Sequence, residues 1–287
     1  MTTVPVEGIA APPRSWSLRR IVGRSWTLTA GVVLVGLVVG VAVFAPYIAP
    51  YDPIRQNLTH LLQNPGHAHR LGTDQFGRDV LSRILVGTRT DLEIAVGATC
   101  LAVLIGGSVG LLAGYIGGVL DAIVMRIVDV VMAFPFYVLI ITLVFVLGSG
   151  LASIYGALVG VGWVSYARIV RGETLIARNQ DYVVAARQTG LSGKRVLFRH
   201  ILPNVITQPI VYAMSDVVNV VLTIVTLGFL GLGVQPPTPE WGSMIADGST
   251  FLTNHWTLAT FPAIAVMITG FGFSLLGDGI AEVIEGE

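Results

Sequence analysis

The residues best placed to do chemistry lie in a polar island between two long apolar runs. They are Val184, Ala185, Ala186, Arg187 and Gly190, followed by Lys194, Arg195, Leu202 and Pro203. Seven of the chain's 17 Lys and Arg residues fall between Arg168 and Arg199. The chemistry they offer is docking rather than bond-making. The stretch from Asp181 to Gln188 predicts a short helix, and Gly190 its left-handed stop. The next segment places Leu197, Phe198, Ile201 and Leu202 on one face with Arg195 and Arg199 turned away, and Pro203 ends that second helix. Two short helices at an angle form a knob that fits a partner's groove. The same pattern suits an amphipathic hairpin lying on anionic headgroups. Composition alone divides the two readings evenly.

A second polar cluster comprises Gly72, Asp74, Gly77, Arg78, Asp79 and Arg83. The glycines permit tight turns, and the charges can pair locally at helical spacing. Such a cap either receives another protein or folds on itself to seal one face. A third site is Asp216 with Asn219, near the middle of an apolar run, where an ionisable residue carries a functional default. These two either line a polar path or hydrogen-bond to a neighbouring helix, and the second reading is favoured. Arg126 and Asp129 predict a local ion pair, and His255 beside Trp256 reads as interfacial.

Some chemistry is excluded. The run Gly190-Leu191-Ser192-Gly193-Lys194-Arg195 has the wrong spacing for a nucleotide-binding loop and no hydroxyl after its lysine. His60, His67 and His69 stand without cysteines or a dense carboxylate cluster. The single Cys100 lies in an apolar run and reads as packing. The chain is expected to be no enzyme and to hold no metal or cofactor of its own.

The elements that position these groups are membrane helices. Hydrophobic residues make up 53% of the chain and charged residues 12%, with mean hydropathy +0.76. Soluble domains carry about 25% charged residues. Charge-free runs predict six spans: Leu28–Ala45, Glu93–Asp121, Ile123–Leu147, Leu151–Val170, Val205–Leu232 and Trp256–Gly277. The first is expected to stay uncleaved, being too long for a signal peptide. Lys and Arg placement gives twelve on the N-terminal side (Arg14, Arg19, Arg20, Arg24, Arg126 and the seven of the island) against five between Pro46 and Leu92. Both termini are therefore expected in the cytoplasm. Gly106, Gly110 and Gly114 line one face of span two, and Gly156 and Gly160 one face of span four. Such faces predict close helix packing within the subunit, or a sliding surface for a partner helix.

The island resembles the coupling loop of ATP-binding-cassette importer permeases, whose pattern is Glu-Ala-Ala, then Gly, then Ile/Leu-Pro. Ala185, Ala186, Gly190, Leu202 and Pro203 match it, while Val184 occupies the Glu position. The run from Leu71 to Arg83, the run from Leu227 to Pro237, the run from Trp241 to Gly248 and Gly277-Asp278-Gly279 resemble peptide/nickel-type permeases, specifically the dipeptide/oligopeptide permease C subunit. Two positions depart from that pattern: Ile224 stands for a Glu, and Ala281-Glu282 for an Arg-Asp pair.

The resemblance implies an all-α integral membrane protein of the type I importer fold, in the bacterial cytoplasmic membrane. It implies a cytoplasmic tail over 1–24, a first helix and outer loop over 25–92, a five-helix core over 93–281 with its coupling loop at about 172–203, and a short tail over 282–287. The implied partners are a homologous second permease, two cytoplasmic ATP-binding subunits that hold ATP and Mg, an external substrate-binding protein and lipid, with no nucleic acid. The implied cargo is di- or oligopeptides, with nickel chelate, glutathione or haem as alternatives. The rival from another class is an ATP-independent secondary transporter. It would call for an inverted repeat and midplane charges in several spans, whereas only Asp216 is of that kind.

Overall fold

The computed structural model describes residues 25–285, and among them it is all-α, with one isolated bridge between Thr73 and Asp79 in place of any sheet. Arg14, Arg19, Arg20 and Arg24 lie outside the described residues. Helix α1 (Trp26–Ile48) starts at Ser25, whose hydroxyl accepts the Leu28 N–H. Helix α2 (Val80–Ile116) starts at Asp79, which caps the Ser82 N–H. This is well before the expected Glu93, because a charge-free window finds only the apolar part of a helix whose first turns carry paired charges. It stops at Gly117 and Gly118, both at positive φ, so Asp121 falls in the first turn of the next helix.

Span three is not one helix. It divides into α3 (Gly118–Met132) and α4 (Phe136–Leu147), bent by 89°. Pro135 explains the break: it lacks an N–H and disfavours helical backbone at Phe134. Neither piece reaches the roughly 20 residues of a span. Five helices are long and apolar enough to cross by themselves, and the bent pair makes a sixth crossing if it counts as one.

Helix α5 runs from Leu151 to Ala177, α6 from Asp181 to Gln188 and α7 from Gly193 to Val196. A π-helical turn at Leu197–Ile201 leads into α8 (Leu202–Val205). Then come α9 (Thr207–Phe229), α10 (Trp241–Ser249) and α11 (Thr257–Glu285).

Small residues bring the long helices together. A Cβ on Gly106 or Gly110 would lie 2.2 Å from the Trp163 carbonyl oxygen or 2.3 Å from that of Ala167, so α2 and α5 touch backbone to backbone. The face of Gly156 and Gly160 is different: nothing lies within 4 Å of a Cβ on Gly160, and this face is open. Ile140, Val144, Ile154, Val217, Ile224 and Leu227 form the central apolar core.

Candidate functional site

The polar island folds into α6, α7, the π turn and α8, and it carries its own apolar cluster. Val183, Ala186, Val196, Leu197 and Ile201 are buried together with Leu111 of α2 and Val170 of α5. That packing fixes the small helices to the ends of the two long ones. Asp181 in the first turn of α6 and Arg187 in the last complement its dipole. Gly190 has φ +79° with open space around it, so its backbone conformation, rather than crowding, calls for glycine.

Tyr115, at the end of α2, clasps the island from within. Its hydroxyl donates to the Gly193 carbonyl at 3.1 Å, and the Arg187 guanidinium sits 5.4 Å from its ring centroid. Arg178 donates to the Gly114 carbonyl at 2.8 Å. Arg187 is exposed and at the same time lies against an aromatic ring. Facing outward are Val184 and Ala185 on α6, with Lys194, Arg195, Phe198 and Pro203 around a shallow groove. Phe198 is 60% exposed, although its apolar character placed it on the inner face. The π turn rotates it out of register. The Leu202 N–H bonds back to the Leu197 carbonyl, and the wider turn accommodates Pro203, which has no N–H to give. Pro203 thus opens α8 instead of ending a helix, and Leu202 is half-buried.

In the first loop, Asp74 gathers the charges. Its Oδ1 accepts the Phe76 and Arg78 N–H groups, both at 2.9 Å, and its Oδ2 accepts Arg78 Nε at 2.6 Å with Arg83 Nε at 3.5 Å. The expected Asp79–Arg83 pair does not form. Asp79 is occupied by the Ser82 N–H and hydroxyl and by His69 Nδ1 at 2.8 Å, while Arg83 also donates to the Pro53 carbonyl at 3.1 Å. Gly72 and Gly77 sit at positive φ, tight against Gln63 and Asn57. Asp74, Arg78, Asp79 and Arg83 are all buried, so the loop is tied to itself.

A buried pair of acids lies beside this cap. Trp241 donates its N–H to Asp91 Oδ2 at 3.1 Å and its indole N–H to the Ile84 carbonyl at 3.3 Å. Glu240 caps α10 by accepting the Gly242 and Ser243 N–H groups at 2.5 and 2.8 Å. Burial pushes the Glu240 carboxyl up to about 7.

Deeper in the bundle, Tyr166 of α5 donates to Asp216 Oδ2 at 2.7 Å. Asp216 and Asn219 also line a cavity of about 410 Å³ beside the α3–α4 break. Asp216 thus bonds a neighbouring helix, and it also faces a cavity. Arg126 does not pair with Asp129 among the described residues. Asp129 instead meets Arg168 at 2.5 Å and Asp121 meets Arg171, both bridging α3 to α5.

Residues 106–286 match the family described as binding-protein-dependent transport system inner membrane component. The chain belongs to this family. It is a multi-pass permease subunit of the type I ATP-binding-cassette importer fold, a component of the bacterial inner membrane. Residues 19–65 match the N-terminal TM domain of oligopeptide transport permease C. This permease is 37% identical to a glutathione transport system permease protein of Pectobacterium atrosepticum, over 99% of this chain and 95% of the relative. It is 38% identical to a probable D,D-dipeptide transport system permease protein of Escherichia coli, over 94% and 89%. It is 39% identical to an oligopeptide transport system permease protein of Bacillus subtilis, over 89% and 84%.

The departures from the expected pattern fit the permease's own packing. Ile224 is fully buried in the apolar core, where a carboxylate would need a partner. Glu282 accepts the Ser25 and Thr27 hydroxyls at 2.6 and 2.7 Å, tying the end of α11 to the start of α1. Tyr115, Asp91 and Glu240 were not singled out from the sequence. Glu240 carried little signal, since glutamate is not among the residues favoured at a helix N-cap.

Proposed function

We propose that this permease subunit imports di- or oligopeptides together with a second, homologous permease, two cytoplasmic ATP-binding subunits that hold ATP and Mg, and an external substrate-binding protein. The observation that carries the ATPase docking is the glycine-broken helix pair, which buries one side against α2 and α5 and turns Val184, Lys194, Arg195 and Phe198 outward. With Val184 in place of an acid, the contact with the ATPase rests on shape and on the cations. ATP binding closes the ATPases, draws the two coupling loops together and rotates the helix bundles as rigid bodies. Both termini lie in the cytoplasm, the loop over 49–79 faces outward toward the binding protein, and Asp216 and Asn219 line the path. The chain performs no catalysis in this scheme.

Glutathione is the second cargo reading, supported by the relative named for its transport. The test is co-expression with the candidate partners, gentle solubilisation and reconstitution into proteoliposomes. ATP-dependent uptake of labelled dipeptide, with unlabelled glutathione as competitor, is the expected result. A solitary oligomer that transports under an ion gradient without ATP would sink the importer reading.

A further inference from the structure

The cavity at the α3–α4 break has a one-sided chemistry. Ala98, Ala102, Val161 and Val220 give it apolar walls, Phe134 and Tyr137 supply rings, and Asp216 is its sole charged lining residue. Thr99 also lines it, and this hydroxyl is anomalous. Thr88, Thr174, Thr223 and Thr269 each return their hydroxyl to the carbonyl four residues back in the same helix. Thr99 is 3% exposed, and its Oγ1 makes no hydrogen bond among the described residues. The Oγ1 atom is itself shut off from the cavity, so this hydroxyl belongs to the packing behind the wall and not to the site.

Asp216 is different. Tyr166 is fully buried and donates to Oδ2, which fixes the carboxylate, and among the described residues no hydrogen bond is made to Oδ1. A fixed carboxylate among aromatic faces and hydroxyls, with no lysine, arginine or histidine on the wall, selects a cation with an organic body. The volume, about 410 Å³, falls in the range of small-molecule sites.

We infer that the cavity is a transient binding site for the protonated amine of the cargo, with Asp216 as counter-ion and Tyr166 as its positioning residue. This rests on the importer reading and names the cargo chemistry of the same path: molecules with a free amine are taken, and amine-blocked ones are not.

The test uses the assembled complex in proteoliposomes, with Cys100→Ser removing the sole cysteine and Ser165→Cys placing a thiol on the cavity wall. Modification by a trimethylammonium methanethiosulfonate is compared with its sulfonate counterpart, each rate normalised to a free thiol. The cationic reagent is expected to react roughly tenfold faster. Asp216→Asn abolishes that preference, Asp216→Glu keeps it, and alanyl-alanine protects the thiol while its N-acetyl form does not. Equal normalised rates with Asp216 present, equal protection by both peptides, or no reaction with either reagent overturns the inference. Labelled alanyl-alanine uptake by the wild-type complex is measured alongside. Loss of ATP-driven uptake with the charge preference intact removes the importer reading and leaves the amine site standing.

Discussion

The backbone N–H of Trp241 donates to the carboxylate of Asp91, a residue 150 positions earlier in the chain. This bond joins the start of α10 to α2 beneath the first loop, with the Glu240 carboxyl alongside. Asp91 Oδ1 is buried and has no hydrogen-bond partner among the described residues. Asp91→Asn keeps an acceptor for Trp241 and the shape of the side chain, so it is expected to be nearly neutral. Asp91→Ala orphans the N–H and costs about 1–3 kcal/mol. Thermal unfolding of the purified complex separates the two, and the pairing is unimportant if both variants melt alike.

Glu240 predicts a pH dependence. Its ordinary value is 4.5 and its folded value is about 7, so between them the folded state holds more protons than the unfolded one. Stability therefore falls as pH rises through that window and levels off above it. Glu240→Gln makes the profile shallower in that window. A melting curve that instead rises across this window contradicts the assignment.

Gly190→Val places a β-branched residue in left-handed backbone at a cost of roughly 1–2 kcal/mol, with no clash. The expected outcome is an inserted subunit whose partners hydrolyse ATP without driving transport. Gly190→Asn, which tolerates that backbone, retains coupling. Unchanged uptake per ATP in the valine variant would show that the turn is not the coupling point.

Tyr115→Phe removes one hydrogen bond to Gly193, and Tyr115→Ala removes the Arg187 ring contact as well. The first is expected to cost about 0.5–1.5 kcal/mol locally and the second more. Hydrogen exchange over residues 181–196 should quicken in that order while α2 itself stays protected.

Gly110→Leu forces a side chain into the Ala167 backbone and is expected to abolish stable insertion, whereas Gly160→Ala, with open space around it, leaves the isolated subunit intact. Yield of monodisperse protein after solubilisation gives the comparison.

Much of this was legible from residue order. Charge-free runs located the long helices, and Gly190 marked the break between the island's helices, because membrane solvation and left-handed backbone impose strong local rules. The bend at Pro135 was not read, since the flanking sequence is apolar throughout and hydropathy is blind to direction. The π turn moved Phe198 outward and Pro203 to a helix start, a one-residue shift that no periodicity foretells. Partner choice among charges was the least legible: Asp79 and Arg83 are correctly spaced, but His69, Ser82 and Asp74 reach them first. Likewise Arg168 of α5, and not Arg126, meets Asp129.

Helix α2 has 37 residues, and at 1.5 Å per residue it is about 56 Å long. Asp79 at one end belongs to the charge-locked cap, and Tyr115 at the other grips the island. Glycine contacts at Gly106, Gly110 and Gly114 splint its last third to α5. A beam braced that close to one tip moves mainly at the other. A swing of a few degrees about the Gly106–Gly114 contact shifts the distant cap by ångströms and the adjacent island hardly at all. One uninterrupted helix thus links the two faces of the membrane mechanically, with no relay of intermediate contacts.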